Sequence, residues 1–165
     1  MNRKTFLLTG GLAALGGLVR LPAARAQAIP DFPEHDPQHD RALVKQFVVA
    51  GHFALEKVKE LIAEHPTIVN GAHDWGDGDF ETALGGASHM GRADIAEFLL
   101  AHNARMDLFA ATMLGKLEIV KAAVAAFPNI IAVPGPHKIP LIAHAEKGGE
   151  RAVAVLEFLR SLKPA

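Results

Sequence analysis

One spacing recurs four times along this chain: an apolar residue is followed seven positions later by a glycine. The pairs are Val44 and Gly51, Leu84 and Gly91, Leu108 and Gly115, and Leu141 and Gly148. Small residues that suit a helical turn lie between the members of a pair. An internal repeat of this kind constrains the fold strongly, because each unit must bury its apolar face against its neighbours.

A second apolar segment follows each glycine, with the three-to-four-residue spacing of an amphipathic helix. Its apolar positions are Val58, Leu61 and Ile62 in the first unit, Ile95, Leu99 and Leu100 in the second, Ile119, Ala123 and Val124 in the third, and Val155, Phe158 and Leu159 in the fourth. Each unit is therefore predicted to be a helix, a glycine turn and a second helix. The whole domain is predicted to be all-α, with eight helices in four antiparallel pairs.

The second unit, residues 82–95, resembles the ankyrin repeat, whose pattern is Thr-Pro-Leu-His, two small residues, a glycine and an apolar helix. Ile139-Pro140-Leu141 repeats the Pro-Leu part, and residues 102–107 resemble the Gly-Ala-Asp stretch that ends a repeat. The resemblance covers about residues 40 to 162. It implies an ankyrin-repeat solenoid of about four repeats, with a groove of fingers and inner helices that binds partners, generally other proteins.

The chain departs from the ankyrin pattern in its repeat lengths. Successive turn glycines lie 40, 24 and 33 residues apart, whereas the family repeats at about 33 residues. The short interval predicts a tight turn between the second and third units. Residues 70–81 and 131–138, in contrast, are each long enough to form a finger.

The first 26 residues have the three parts of a secretory signal peptide. A basic start at Arg3-Lys4 precedes an apolar stretch over residues 6–19, and small residues at Ala24 and Ala26 end the segment. The apolar stretch is shorter than the roughly 20 residues of a membrane-spanning helix. We expect cleavage after Ala26, an extended arm over residues 27–38 and a repeat domain over 39–165. Arg3-Lys4-Thr5-Phe6-Leu7 resembles a twin-arginine signal with lysine as its second basic residue, and the general secretory route stays open.

Composition excludes several classes of function. The chain has 17 basic and 18 acidic residues. Four of the basic residues lie in the predicted leader, which leaves 13 against 18, or about −5, and no basic face for nucleic acid. The chain has no cysteine, which excludes disulfides, thiol nucleophiles and cysteine-based metal sites.

The resemblance to ankyrin repeats places the partner-binding surface on the fingers and on the two residues before each turn glycine. The candidate residues are His73, Asp74, Trp75, Asp77, Asp79, His89, Met90, Met113, His137, Lys138 and Glu146. Trp75, the only tryptophan, has two interpretations: an exposed aromatic anchor, or a cover over the inner helices. Two glycines inside a helix cost about 1 kcal/mol each relative to alanine. Gly85-Gly86 therefore predicts a close approach by another group, for which the Trp75 ring is the nearest candidate.

No metal site is predicted, and no cofactor. His73, Asp74, Asp77, Asp79, His89, His137 and His144 are potential ligands, but none has the spacing of His-Glu-x-x-His. A calcium loop counted from Asp74 would need glutamate at its twelfth position, where the chain has Gly85. His144 occupies a small, buried position of the ankyrin pattern, so we expect a hydrogen-bonded core histidine there.

These observations favour an exported, non-catalytic, monomeric protein that binds another protein through its fingers and inner helices. The main alternative is a small-molecule or metal-binding protein with a pocket framed by Trp75, His89 and His137. A third possibility is a hydrolase that uses an aspartate–histidine pair in the same groove. The chain's two serines, Ser88 and Ser161, lie in no Gly-x-Ser-x-Gly nucleophile elbow.

Overall fold

The computed structural model describes residues 36–162, and the account that follows concerns them. Contacts divide the chain into Met1–Asp36 and Pro37–Ala165, and the elements below all belong to the second unit. The predicted leader (residues 1–26) and residues 27–35 of the predicted arm lie outside the described residues. Within the described range, no helix is both long and apolar enough to cross a membrane.

The described part of the chain is mostly helical, as predicted, and contains eight α-helices. They are α1 (Arg41–Gly51), α2 (Leu55–Glu64), α3 (Ala83–Met90), α4 (Ala93–Ala101), α5 (Leu108–Met113), α6 (Leu117–Ala126), α7 (Leu141–Gly148) and α8 (Val153–Ser161). Short 3₁₀ helices span Pro66–Asn70, Pro128–Ala132, Pro136–Lys138 and Gly149–Ala152. Consecutive helices contact each other in pairs, and the first helices of the pairs also contact one another in the order α1, α3, α5 and α7.

Polar side chains define where three of these first helices begin. Asp40 accepts hydrogen bonds from the backbone N–H groups at the start of α1, Thr82 from Gly85 N at 3.1 Å, and Asp107 from Ala110 N at 2.7 Å. Each cap satisfies a backbone donor that has no partner inside its helix. The apolar faces of the helices form two buried clusters, one across α1 to α5 and one across α6 to α8.

The first predicted finger is a β-hairpin. Strands β1 (Ala72–Asp74) and β2 (Phe80–Thr82) are antiparallel, with His73 opposite Glu81. Since successive side chains alternate between the faces of a strand, this register turns His73 and Glu81 towards the interior, and both are buried. Gly76, Asp77 and Gly78 all have positive φ in the turn, which glycine and aspartate tolerate better than most residues.

Two residues expected on the binding surface are buried instead. Met113 is completely buried in α5, which packs beside α3 and α7. His73 is 7% exposed, because the strand register turns it inward with Glu81. The second finger, residues 131–138, is irregular and contains 3₁₀ turns, whereas the first is a short hairpin.

Candidate functional site

Four side chains from four separate elements converge at one end of the hairpin. His52 follows α1 directly, Glu81 is the middle residue of β2, His89 lies near the end of α3, and His137 lies in the 3₁₀ turn Pro136–Lys138. One nitrogen or oxygen atom from each lies within 4.8 Å of the other three. We call these four residues the histidine–glutamate cluster.

Glu81 is the centre of the cluster, and its side chain is completely buried. Its Oε1 lies 2.9 Å from His89 Nε2. Its Oε2 accepts a hydrogen bond from Trp75 Nε1 at 2.8 Å and lies 3.2 Å from His137 Nε2 and 3.4 Å from His52 Nε2. Burial alone would raise the pKa of Glu81, but the hydrogen bonds with His52, His89 and Trp75 outweigh it and hold that pKa well below its ordinary value.

His52 is held in place by backbone on two sides. Its Nδ1 lies 2.9 Å from the carbonyl oxygen of Val48, and its ring lies against Gly86, where an added Cβ would come within 2.6 Å of Nδ1. The hydrogen bond to Glu81 raises the pKa of His52 despite partial burial. The close approach predicted for the glycine pair is therefore made by His52, and the expectation that the Trp75 ring would make it was wrong.

His137 reaches the cluster from an exposed turn with an uncommon backbone. Its φ is +56° and that of Lys138 is +59°, a conformation that non-glycine residues rarely adopt. Asp79 holds this conformation, because its carboxylate accepts from the backbone N of His137 at 3.0 Å and lies 3.1 Å from Nδ1. Such conformations persist where the surrounding structure determines them, commonly at functional sites.

The contacts of Nδ1 in His52 and His137 determine which ring nitrogen of each carries hydrogen and which points a lone pair at the cluster. Nδ1 of His52 faces a carbonyl and Nδ1 of His137 faces a carboxylate, so each must carry hydrogen in order to bond. In its neutral form each ring then points the Nε2 lone pair at Oε2 of Glu81, and His52 Nε2 also lies 3.1 Å from His89 Nε2. Lone pairs that converge on a buried carboxylate require a cation among them, which is either added protons or a metal ion.

Trp75 supports this arrangement rather than forming an exposed anchor. Its ring is half-buried, and its N–H donates a hydrogen bond to Glu81. The ring also packs edge to face with that of His73, with ring centroids 4.6 Å apart. It also lines an open cavity of about 590 Å³ whose other lining residues are Asp40, Arg41, Ala42, Lys45, His73 and Asp74. His89 and His137 do not line that cavity. The structure brings Trp75, His89 and His137 together around Glu81 instead, with ring centroids 5.6 Å apart between Trp75 and His137 and 5.5 Å apart between His89 and His137.

The other predicted site residues are distributed around the cluster. The Asp74 carboxylate accepts a hydrogen bond from the backbone N of Gly76 at 2.8 Å, and Asp77 lies in the hairpin turn. Met90, Lys138 and Glu146 are exposed, and Glu146 pairs with Arg160 at 3.3 Å. His144 is a buried core histidine, as predicted, with Nδ1 3.1 Å from the Pro140 carbonyl and a pKa lowered by burial.

His52 and Glu81 were missed from the sequence. His52 directly follows the first turn glycine and Glu81 directly precedes the Thr82 cap, so each lies beside a residue that the repeat pattern identifies. A search for two ligands on one helix had no means of finding them, because the cluster takes one residue from each element.

Comparison with known proteins gives no match: no family model, curated protein or solved structure matches this chain.

Proposed function

We propose that this chain is a metal-binding protein that holds one divalent transition-metal ion, of the zinc class, at His52, Glu81, His89 and His137. The observation that carries the proposal is the convergence of three imidazole Nε2 atoms on a buried carboxylate. A divalent ion supplies, in one particle, the positive charge that this arrangement requires.

The spacing of the ligand atoms supports a tetrahedral ion. Zinc bonds of about 2.0–2.1 Å at tetrahedral angles separate neighbouring ligand atoms by about 3.3 Å. Four of the separations here are near this value: 3.1 Å between His52 Nε2 and His89 Nε2, 2.9 Å between His89 Nε2 and Glu81 Oε1, and 3.2 Å and 3.4 Å from Glu81 Oε2 to Nε2 of His137 and His52. The ligand atoms all lie within 4.8 Å of one another. Imidazole nitrogen with one carboxylate suits zinc, copper, nickel and iron better than calcium or magnesium.

The groups behind the ligands also fit a metal site. Metal-binding histidines usually donate their second N–H to a carboxylate or a backbone carbonyl, which fixes the tautomer and the ring orientation. Asp79 is placed to do this for His137, and the Val48 carbonyl for His52. Trp75 orients the carboxylate of Glu81 by donating a hydrogen bond from its indole N–H to Oε2.

We further propose that the scaffold is an exported ankyrin-type solenoid. Four helix pairs with contacting first helices support the solenoid, and the basic, apolar and small-residue order of residues 1–26 supports export. Protein binding is a second candidate function. It is favoured by two exposed apolar side chains beside the cluster: Phe80, next to Glu81, is 61% exposed, and Met90, next to His89, is 47% exposed.

The hydrolase alternative gains an aspartate–histidine pair, Asp79 and His137, but no serine nucleophile. The Ser88 hydroxyl donates to the Leu84 carbonyl and the Ser161 hydroxyl to the Phe158 carbonyl. The pair fits a metal site better, in which Asp79 would orient His137 as a metal ligand.

Zn(II) titration by calorimetry and Co(II) titration by visible absorption test the metal site on the full chain. We expect one ion per chain, with the absorption of a four-coordinate Co(II) complex. His89→Ala removes a ligand and should abolish this binding. His102→Ala, at the exposed end of α4, is the matched control and should bind as the parent does. A parent chain that binds neither ion, or a His89→Ala chain that binds equally well, would refute the proposal.

A further inference from the structure

We infer that His137, held by Asp79, is an exchangeable fourth ligand that decides whether the metal centre is closed or open to a small anion. The inference rests on the proposed metal site and concerns its regulation. It follows from a difference between one ligand and the other three.

Three ligands belong to the body of the fold. The side chains of Glu81, His89 and His52 are 0%, 9% and 15% exposed. Glu81 is paired within the hairpin, His89 is part of α3, and His52 is fixed between Gly86 and the Val48 carbonyl. Two histidines and one glutamate form a known donor set of catalytic zinc sites, in which the fourth position takes water or substrate.

The fourth ligand is attached differently. The side chain of His137 is 34% exposed and belongs to a three-residue turn, 48 positions beyond His89 in the chain. Its left-handed backbone is held by the Asp79 carboxylate, which accepts from its backbone N. The Asp79 carboxylate thus acts on the metal centre through His137, which makes Asp79 a positioning residue.

Two states of the centre follow from this arrangement. With His137 bound, the ion has four protein ligands and no free position, which is the form of a structural zinc site. With His137 withdrawn, the ion keeps His52, Glu81 and His89 and gains one position for a small donor. Release of the Asp79 contact favours the second state, because the turn then loses the group that fixes its backbone.

The experiment uses Co(II)-loaded full chain, with azide and imidazole as probes. His137→Gly removes the ring, and glycine accepts the positive φ without strain. We expect azide to change the spectrum of this variant saturably and imidazole to restore the parent spectrum. The parent spectrum should stay unchanged at the same concentrations of both probes.

Asp79→Asn tests the positioning role. Loss of a group that orients a ligand typically weakens metal binding about 10- to 100-fold, and we expect a loss of that size, together with azide binding at concentrations that leave the parent unaffected. Asp77→Asn, two residues earlier in the same turn, is the matched control and should behave as the parent.

The outcomes separate this inference from the proposed function. If the parent chain does not bind Co(II), the metal site itself is refuted. If the parent binds Co(II) but His137→Gly shows the same affinity and spectrum, His137 is not a ligand and only the present inference fails. The inference also fails if azide binds the parent and the variant equally, or if His137→Gly, shown by its melting curve to be folded, retains no metal.

Discussion

At the scale of single residues, Gly86 is the position where the fold makes room for the site. The glycine pair in the sequence correctly predicts a close approach at this helix, but the residue that approaches is His52, 34 positions earlier. A glycine inside a helix indicates that another group packs closely against the backbone there. Which group does so depends on the packing between α1 and α3, which the sequence pattern does not show. The sequence therefore predicts the close contact at Gly86 but not that His52 makes it.

Gly86→Ala should displace His52 and weaken metal binding. Alanine favours a helix by about 1 kcal/mol over glycine, but its Cβ would lie 2.6 Å from Nδ1 of a ring that is bonded to backbone, and overpacking typically costs about 1–3 kcal/mol. We expect no gain in melting temperature and at least a tenfold loss of Zn(II) affinity by calorimetry. Gly85→Ala, whose Cβ would lie 3.3 Å from the Glu81 side chain, should lose less. Parent affinity in Gly86→Ala would show that His52 is not fixed by this contact.

At the scale of elements, the repeated glycines serve contacts between helix pairs as well as turns. A Cβ on Gly51 would lie 2.5 Å from the Ala83 carbonyl, on Gly115 1.9 Å from the Arg151 carbonyl, and on Gly148 2.2 Å from the Met113 carbonyl. Only Gly91 and Gly115 of the four have positive φ. The helices and the hairpin were predictable because caps, turns and apolar spacing are local. The burial of Met113 was not, since it depends on how closely neighbouring pairs approach.

Gly115→Ala and Gly78→Ala separate backbone strain from packing. Both glycines have positive φ, +69° and +78°, so alanine costs about 1–2 kcal/mol at either position. Apart from Gly78 and its chain neighbours, no described atom lies within 4 Å of a Cβ built on Gly78. Gly115→Ala additionally forces two backbones apart, and we expect it to lower the free energy of unfolding by at least 1 kcal/mol more than Gly78→Ala in urea titrations. Equal losses would mean that the turn conformation alone explains the recurring glycine.

At the scale of the whole molecule, half of the candidate site escaped prediction because its four ligands are spread from position 52 to position 137 of the sequence. His89 was identified by its place before a turn glycine, and Asp79, Trp75 and His137 by their places in the two fingers. Their common centre, Glu81, is defined by the strand register that buries it. Motif spacing detects ligands on one element, whereas this cluster is created by the assembly of α1, the hairpin, α3 and the second finger.

An ion bound by four separate elements should stabilise the assembled chain. A ligand that binds the folded state alone raises the free energy of unfolding by about 2.7 kcal/mol at a concentration 100 times its dissociation constant. We expect Zn(II) to raise the melting temperature of the full chain and a chelator to reverse the rise. In hydrogen exchange, the added protection should include the backbone amides of His137 and Lys138, because His137 links that turn to Glu81 on the hairpin. His89→Ala should show neither effect, and His102→Ala should show both. A rise of equal size in His89→Ala would indicate that zinc acts elsewhere on the molecule, and protection confined to α1 and α3 would exclude His137 from the bound set.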